Sequence, residues 1–216
     1  LITAGSTRGY LDAVRYITNT STGRLGSEIA FEAMGRGAVV TYIYGADSLF
    51  PVIHDRSDMK ASQLKLIEIE TNNDLIKVLQ EKLKNRKFDA IIHAMAVADY
   101  VPARAKQSKT SSQKKEWLVK LVKTPKVINI IRASWPEAFL VGFKLEVNRT
   151  KDEIIRIARR FLTKSKANLI VANDYKYISR NRHIAYMVTG DRKIPKPLKG
   201  KKAIAKNIIS YLEKIL

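Results

Sequence analysis

Residues 15–26 read Arg-Tyr-Ile-Thr-Asn-Thr-Ser-Thr-Gly-Arg-Leu-Gly. The run offers a guanidinium at Arg15, an amide at Asn19, hydroxyls up to Ser21 and Thr22, and glycines at positions 23 and 26. Glycine lets backbone approach a ligand closely. Ser21 and Thr22 are natural N-caps for a following helix, and the N–H groups at a helix start form a ready anion site. The chemistry on offer is the holding of phosphate or another anion. An ordinary strand-to-helix turn has the same outline, so the run alone leaves both readings open.

Other chemistries are harder to build. The chain has no cysteine, which excludes disulfides, thiolate metal sites and a thiol nucleophile. Its three histidines are His54 in a loop, His93 in an apolar strand pattern and His183 late in the chain, so no Ser-His-Asp arrangement is expected. Lys and Arg number 40 against 20 Asp and Glu, a net charge of +20. That puts nucleic acid among the candidate partners. The charges are spread along the chain, however, and the densest groups (Lys114-Lys115, Arg159-Arg160, 199–202) lack interleaved aromatics. No helix-turn-helix or zinc-finger spacing is present, so a dedicated nucleic-acid protein is not expected. A site for small polyanions would use the same field.

The elements that must position these residues alternate between the two periods. Residues 1–4 read as a strand and 23–36 as a helix with Leu25, Ile29, Ala33 and Met34 inward. Residues 38–44 and 64–70 read as strands, and 72–87 as a helix capped by Asn72 or Asn73. A buried strand follows at 89–96. Residues 99–115 lack periodicity and carry no large apolar side chain after Val101, the composition of a mobile loop. A strand at 117–122, a helix at 125–133 with Pro125 in its first turn, a strand at 139–145, a helix at 151–164 and a strand at 169–172 follow. Residues 183–188 and the region of Ile194 suggest a hairpin, and 201–215 the last helix.

This order predicts an α/β, Rossmann-like, mainly parallel sheet with helices on both faces, in a single domain over residues 1–216. Ligands in such sheets bind beyond the carboxyl ends of the strands, where the polar clusters at 5–22, 99–115, Glu146 and Asn173-Asp174 all fall. No apolar run is long enough to span a bilayer and no signal peptide is evident, so a cytoplasmic protein is expected. Leu1 falls inside the first strand, so the native start is expected upstream.

Several segments together resemble one family, phosphopantothenoylcysteine synthetase. They are Thr3-Ala-Gly-Ser-Thr-Arg, Asp12-Ala-Val-Arg-Tyr-Ile-Thr-Asn-Thr-Ser-Thr-Gly, Ala96-Val-Ala-Asp-Tyr, Lys123-Thr-Pro-Lys-Val-Ile, Val141-Gly-Phe-Lys-Leu-Glu and Ile170-Val-Ala-Asn-Asp. They occur in the family's order and span the chain. The resemblance implies a ligase of coenzyme A biosynthesis, in a stand-alone form without a decarboxylase half. In the implied reaction the carboxylate of 4′-phosphopantothenate attacks the α-phosphate of CTP or ATP with Mg2+. Pyrophosphate leaves, and the amine of L-cysteine then displaces the nucleoside monophosphate from the acyl-nucleotidyl intermediate. Such transfer needs positioning and charge neutralisation rather than a protein nucleophile, which suits this residue inventory.

The resemblance assigns roles position by position. Asn19 is implied at the acyl-nucleotidyl intermediate, Arg15 at substrate phosphate and Gly23 at the substrate. Asp99 is implied at the nucleotide and, directly or through water, at the metal. The backbone of His93, Ala94 and Met95 is implied beside the base, with Met95 standing where many relatives carry Ala. Lys109 is the matching lysine of the loop that reaches the triphosphate, although Thr110 replaces the usual Ile and Lys106, Lys114 and Lys115 lie near. Pro125, Lys126, Val127 and Ile128 open a helix toward the nucleotide, Phe143 lies on the base or in the core, and Arg160, Lys164 or Lys166 meets phosphate. A homodimer with its active site near the interface is implied. A nicotinamide-dependent oxidoreductase lacks its Gly-x-Gly-x-x-Gly after the first strand and its acid after the second. A basic, non-catalytic nucleotide- or nucleic-acid-binding protein is the remaining alternative.

Overall fold

The computed structural model describes residues 1–52, 60–113, 115–179, 182–191 and 193–216. His54 and Lys114 lie outside the described residues, as does part of the long segment 45–62. The centre of the molecule is β1 (Ile2–Ala4), three buried residues that pair in parallel with β4 (Val40–Gly45) on one side and β6 (Ala90–His93) on the other. β5 (Leu64–Ile69) adds beyond β4. Beyond β6 come β9 (Phe139–Glu146) and β10 (Leu169–Asp174), both parallel. β11 (Ile184–Val188) and β12 (Pro197–Lys199) close that edge as an antiparallel hairpin, giving the order β12-β11-β10-β9-β6-β1-β4-β5. Chain and space order reverse beside β1, the position at which such sheets open a crevice.

Both faces are covered, as the near-continuous apolar strands require. α1 (Arg24–Met34) and α5 (Lys201–Glu213) pack on one face with Ile29, Met34, Ile204 and Ile208 fully or nearly buried. α2 (Asn72–Lys77), α3 (Val127–Ser134) and α4 (Lys151–Ser165) cover the other through Leu75, Ile131 and Ile154. Two small ribbons stand off this sandwich, β2 (Arg8–Tyr10) with β3 (Tyr16–Thr18), and β7 (Tyr100–Pro102) with β8 (Leu121–Lys123). Among the described residues no helix is long and apolar enough to cross a membrane.

Several local expectations are corrected. α1 is capped by Gly23 at φ 76°, with no side-chain cap bond, rather than by Ser21 or Thr22. α2 is capped by Thr71, which exchanges bonds with Asp74 in a capping box, so neither Asn72 nor Asn73 is the cap. It passes at Val78 into a wider π-type turn ending at Lys82, short of residue 87. The strand expected at 117–122 is reduced to Leu121–Lys123, because its partner β7 is only three residues long. α3 starts at Val127 with Lys126 as extended cap, so Pro125 lies ahead of the first turn. Residues 99–115 are not a free loop. They contain β7, and Thr110 is buried because its N–H and C=O are both taken by residues of the first loop. Ile194 lies in the hairpin connection, not in a strand, and is 70% exposed.

Candidate active site

The loop after β1 is organised by one buried acid. Asp12 is 1% exposed, and its carboxylate accepts from the Val14 and Arg15 N–H groups, the Arg15 guanidinium (Nη2, 2.6 Å) and the Thr110 N–H (2.9 Å). Arg15 donates again to the Thr110 carbonyl at 2.7 Å and lies over the Trp117 ring, 4.6 Å from its centroid. The Arg15 guanidinium, aided by the Thr110, Val14 and Arg15 N–H groups, holds the Asp12 carboxyl well below the usual carboxylate range. This shared acid fixes the 99–115 segment against the 5–22 loop. Lys109, exposed and adjacent to Thr110, is thereby held at the same edge.

The same loop is stitched to the segment following β6. Asn19 Nδ2 donates to the Ala96 carbonyl at 3.0 Å, and Thr18 Oγ1 donates to Thr7 O at 2.8 Å. Thr7 Oγ1 in turn accepts the Ala98 N–H at 2.9 Å. The Ala98 carbonyl takes two further donors, Asn72 Nδ2 at 2.7 Å and Thr124 Oγ1 at 2.6 Å. Asp99 follows at once and pairs with Lys126 Nζ at 2.7 Å, at the opening of α3. Asn19, Asp99 and Lys126 therefore sit on loops bonded to one another at the carboxyl ends of β1 and β6.

The remaining candidates divide. Ala94 N–H bonds to Thr3 O at 2.9 Å inside the sheet. His93 is buried, with Nδ1 2.7 Å from Thr3 Oγ1, and burial pushes its pKa down to about 4. The Met95 side chain lies in the core, as do those of Val127 and Ile128, so from these residues only backbone is offered to the crevice. Pro125 and Lys126 are exposed. Phe143 is half-buried and packs with the α1/α5 face of the core. Gly23 serves close packing of chain on chain, since a Cβ there would lie 2.8 Å from Leu49 O.

Arg160, Lys164 and Lys166 are not brought to this rim within one chain. α4 leaves the rim at Thr150, next to Asp174, whose carboxylate accepts the Asn148 and Arg149 N–H groups. It ends at the opposite rim, where Asn168 bonds Leu140 and Arg132 reaches Lys166 O. At about 1.5 Å per residue, Lys164 is roughly 20 Å from the start of α4. Arg160 instead lines a concavity of about 360 Å³ with Arg156, Arg159 and Ile194. A larger one, about 420 Å³, adjoins the Arg15–Trp117 pair and is lined by Leu11, Arg104, Lys106 and Lys120 among others.

Sequence reasoning missed Thr7, Asn72 and Thr124, whose side chains hold the Ala96–Asp99 backbone in place. No spacing signal marks them, because their partners are backbone groups distant in sequence. Among the described residues no group of three or more His, Asp and Glu could hold a metal by itself.

Comparison with known proteins places the whole chain in one group. The DNA/pantothenate metabolism flavoprotein C-terminal domain matches residues 1–216. The coenzyme A biosynthesis bifunctional protein CoaBC of Thermococcus kodakarensis is 33% identical over 216 residues, which is all of this chain and 51% of that protein. The chain thus spans about half the length of the curated relatives it matches. The crystal structure of the DNA/pantothenate metabolism flavoprotein from Streptococcus pneumoniae is 31% identical and superposes with a TM-score of 0.86, covering 100% of this chain and 98% of that one. A Cab2 mutant in complex with phosphopantothenate-cysteine shares the fold at 21% identity and a TM-score of 0.78, over 99% of this chain and 85% of that one.

Proposed function

The chain belongs to the DNA/pantothenate metabolism flavoprotein C-terminal domain family, and on that premise we propose that it is a phosphopantothenate–cysteine ligase of coenzyme A biosynthesis. The observation that carries this reading is the bonding of the Asn19 loop to the Ala96–Asp99 loop at the point where strand order reverses. On this reading the amide, acid and lysine carried by these bonded loops serve one site, the set that nucleotidyl transfer needs. Membership of a family whose curated relatives are named for coenzyme A biosynthesis supports the pathway. The molecule held by Cab2 supports the substrate class.

In this scheme 4′-phosphopantothenate places its carboxylate against the α-phosphate of CTP or ATP near Asn19. Lys109, held close by Thr110, and Lys126 neutralise the triphosphate as pyrophosphate leaves. The Asn19 amide holds the acyl-nucleotidyl ester for attack by the L-cysteine amine. Asp99 is the acid beside the nucleotide. Asp99 would be the first protein carboxylate to hold a Mg2+ ion accompanying the triphosphate, an ion that would neutralise phosphate charge and that ordinarily takes only one or two carboxylates. Arg15, bonded to Asp12 and the Thr110 carbonyl, holds the loop in shape and keeps part of its fork exposed to substrate. A homodimer with its active site near the interface completes the proposal. Exposed Val14, Tyr16, Tyr100 and Leu118 on the two ribbons support it by offering apolar surface beside the site.

The test is pyrophosphate release measured with each nucleotide in turn. Release that needs both the nucleotide and phosphopantothenate is expected. Release with neither CTP nor ATP would refute the assignment.

A further inference from the structure

The β2–β3 ribbon holds Arg15 in its turn and leads directly into Asn19, yet each of its strands has only three residues and it stands off the main sheet. A lone two-stranded ribbon is marginal in water, so its placement must come from what it is tied to. On one side the tie is to the loop after β6, where Asn19 Nδ2 and the Thr7 N–H both bond to the Ala96 carbonyl.

On the other side the tie is Arg8. It lies directly across the ribbon from Thr18, the residue before Asn19. Its N–H bonds to the Glu70 carbonyl at 2.7 Å. Its guanidinium pairs with the Asp47 carboxylate in the loop after β4, and with Glu70 Oε1 at 3.2 Å in the loop after β5. The same guanidinium lies over the Tyr16 ring, 4.4 Å from its centroid. Tyr10, two residues along the strand and therefore on the same face, donates to Glu70 Oε2 at 2.7 Å and meets Tyr16 edge-on. One side chain thus joins both strands of the ribbon to two loops of the main sheet.

Two features separate this cluster from an ordinary surface ion pair, which contributes little. The Arg8 side chain is only 11% exposed, although those of Asp47 and Glu70 are 79% and 47% exposed. Asp47 also meets Arg8 from a left-handed backbone, φ 64°, a conformation uncommon outside glycine that Asp adopts more readily than most residues. Spanning two carboxylates and a ring at once needs a planar fork of fixed donors, which arginine has and lysine lacks.

We propose that Arg8 is a positioning residue, a clamp that fixes the β2–β3 ribbon against the loops after β4 and β5 and so holds Asn19 and Arg15 in place for the reaction. The role in turnover rests on the ligase function proposed above. Arg8 acts through those two residues rather than on substrate, because its fork is already occupied by Asp47, Glu70 and Tyr16. A small displacement of a group that orients reactants is enough to slow chemistry strongly.

The test combines amide hydrogen exchange with ligase kinetics. Arg36→Met is the matched control, since Arg36 is also a doubly paired arginine, with Glu32 at 2.5 Å and Glu213 at 2.6 Å, but at the far ends of α1 and α5. Arg8→Met is expected to speed exchange in peptides over residues 8–19 by about tenfold or more while β9 and β10 stay protected. Its kcat should fall by about tenfold or more with the KM for nucleotide within about twofold, and Arg8→Lys should recover only part of the loss. Arg36→Met should change neither ribbon exchange nor kcat. Asp47→Asn, which removes one exposed partner, should show the same pattern more weakly and serves if Arg8→Met does not fold. Unchanged ribbon exchange, a normal kcat in Arg8→Met, full recovery by Arg8→Lys, or an equal loss of kcat in Arg36→Met would overturn the proposal. Ribbon loosening in a protein that makes no phosphopantothenoylcysteine would sink the ligase reading and leave the clamp on the ribbon standing.

Discussion

The side-chain amide of Asn19 bonds to the carbonyl of Ala96, 77 residues away, at 3.0 Å. That bond joins the loop after the central strand to the loop after its neighbour. It places Asn19 where an amide could hold a reacting carbonyl or amine without titrating. Asn19→Asp removes the donor and puts a carboxylate beside a carbonyl oxygen. Pyrophosphate release is expected to persist while amide formation falls by about 10²-fold or more. The acyl-nucleotidyl ester should then accumulate, as followed by mass spectrometry of quenched mixtures. Unimpaired product formation would remove Asn19 from the chemistry.

Asp12 serves two distant segments with one carboxylate, so Asp12→Asn should loosen both. The thermal midpoint is expected to fall by roughly 5 °C or more. The folded-state pKa lies below the unfolded one, so this contribution is present above about pH 4 and is lost as pH falls further. Chemical denaturation between pH 5 and 2, on scales marked by the carboxylate reference values, checks this: the variant should show the shallower acid loss.

His93 and His183 act in a different window. Both are buried and neutral, with pKa values lowered to about 4. Below about pH 6.5 the unfolded chain gains protons that the folded chain refuses, so stability declines from there down to about pH 4. Each contributes on the order of 3 kcal/mol to that decline. Unfolding free energies of His93→Gln against pH should show a gentler slope across this window, and an unchanged slope would contradict the assignment.

Gly26 sets how closely α1 lies on β1. An added Cβ would come 2.3 Å from Ala4 Cβ and 3.1 Å from the Tyr42 hydroxyl. Gly26→Ala must push the helix start off the sheet and should cost about 1–3 kcal/mol. Equilibrium unfolding gives the stability. The KM for nucleotide should rise with it, because the same shift displaces the α1 amides.

The exposed Asp99–Lys126 pair should behave in the opposite way. Its side chains are 55% and 48% exposed, so Asp99→Asn should change stability by no more than about 0.5 kcal/mol. The KM for nucleotide or the Mg2+ requirement should change severalfold. A large loss of stability with normal kinetics would make Asp99 a structural residue.

Much of this was legible in the residues. The apolar runs at 38–44, 139–145 and 169–172 announced buried strands, and their alternation with amphipathic helices gave the covered parallel sheet. The helix starts were less legible. Gly23 and Thr71 outcompeted Ser21, Thr22 and Asn72 because φ at Gly23 and the reciprocal Thr71–Asp74 bonds decide those ends. Residues 99–115 read as free because their anchor, Asp12, lies 98 positions from Thr110. The drift of Arg160 and Lys164 away from the rim follows from the length of α4, fifteen residues that carry the chain across the sheet. Spacing in sequence conceals that distance.

The central claim is that a carboxylate is joined to an amine through a nucleotidyl ester. Phosphopantothenate labelled with ¹⁸O in its carboxylate, turned over with L-cysteine and the preferred nucleotide, tests it most directly. One labelled oxygen is expected in the released nucleoside monophosphate. Monophosphate free of label, with phosphopantothenoylcysteine still formed, would contradict the account.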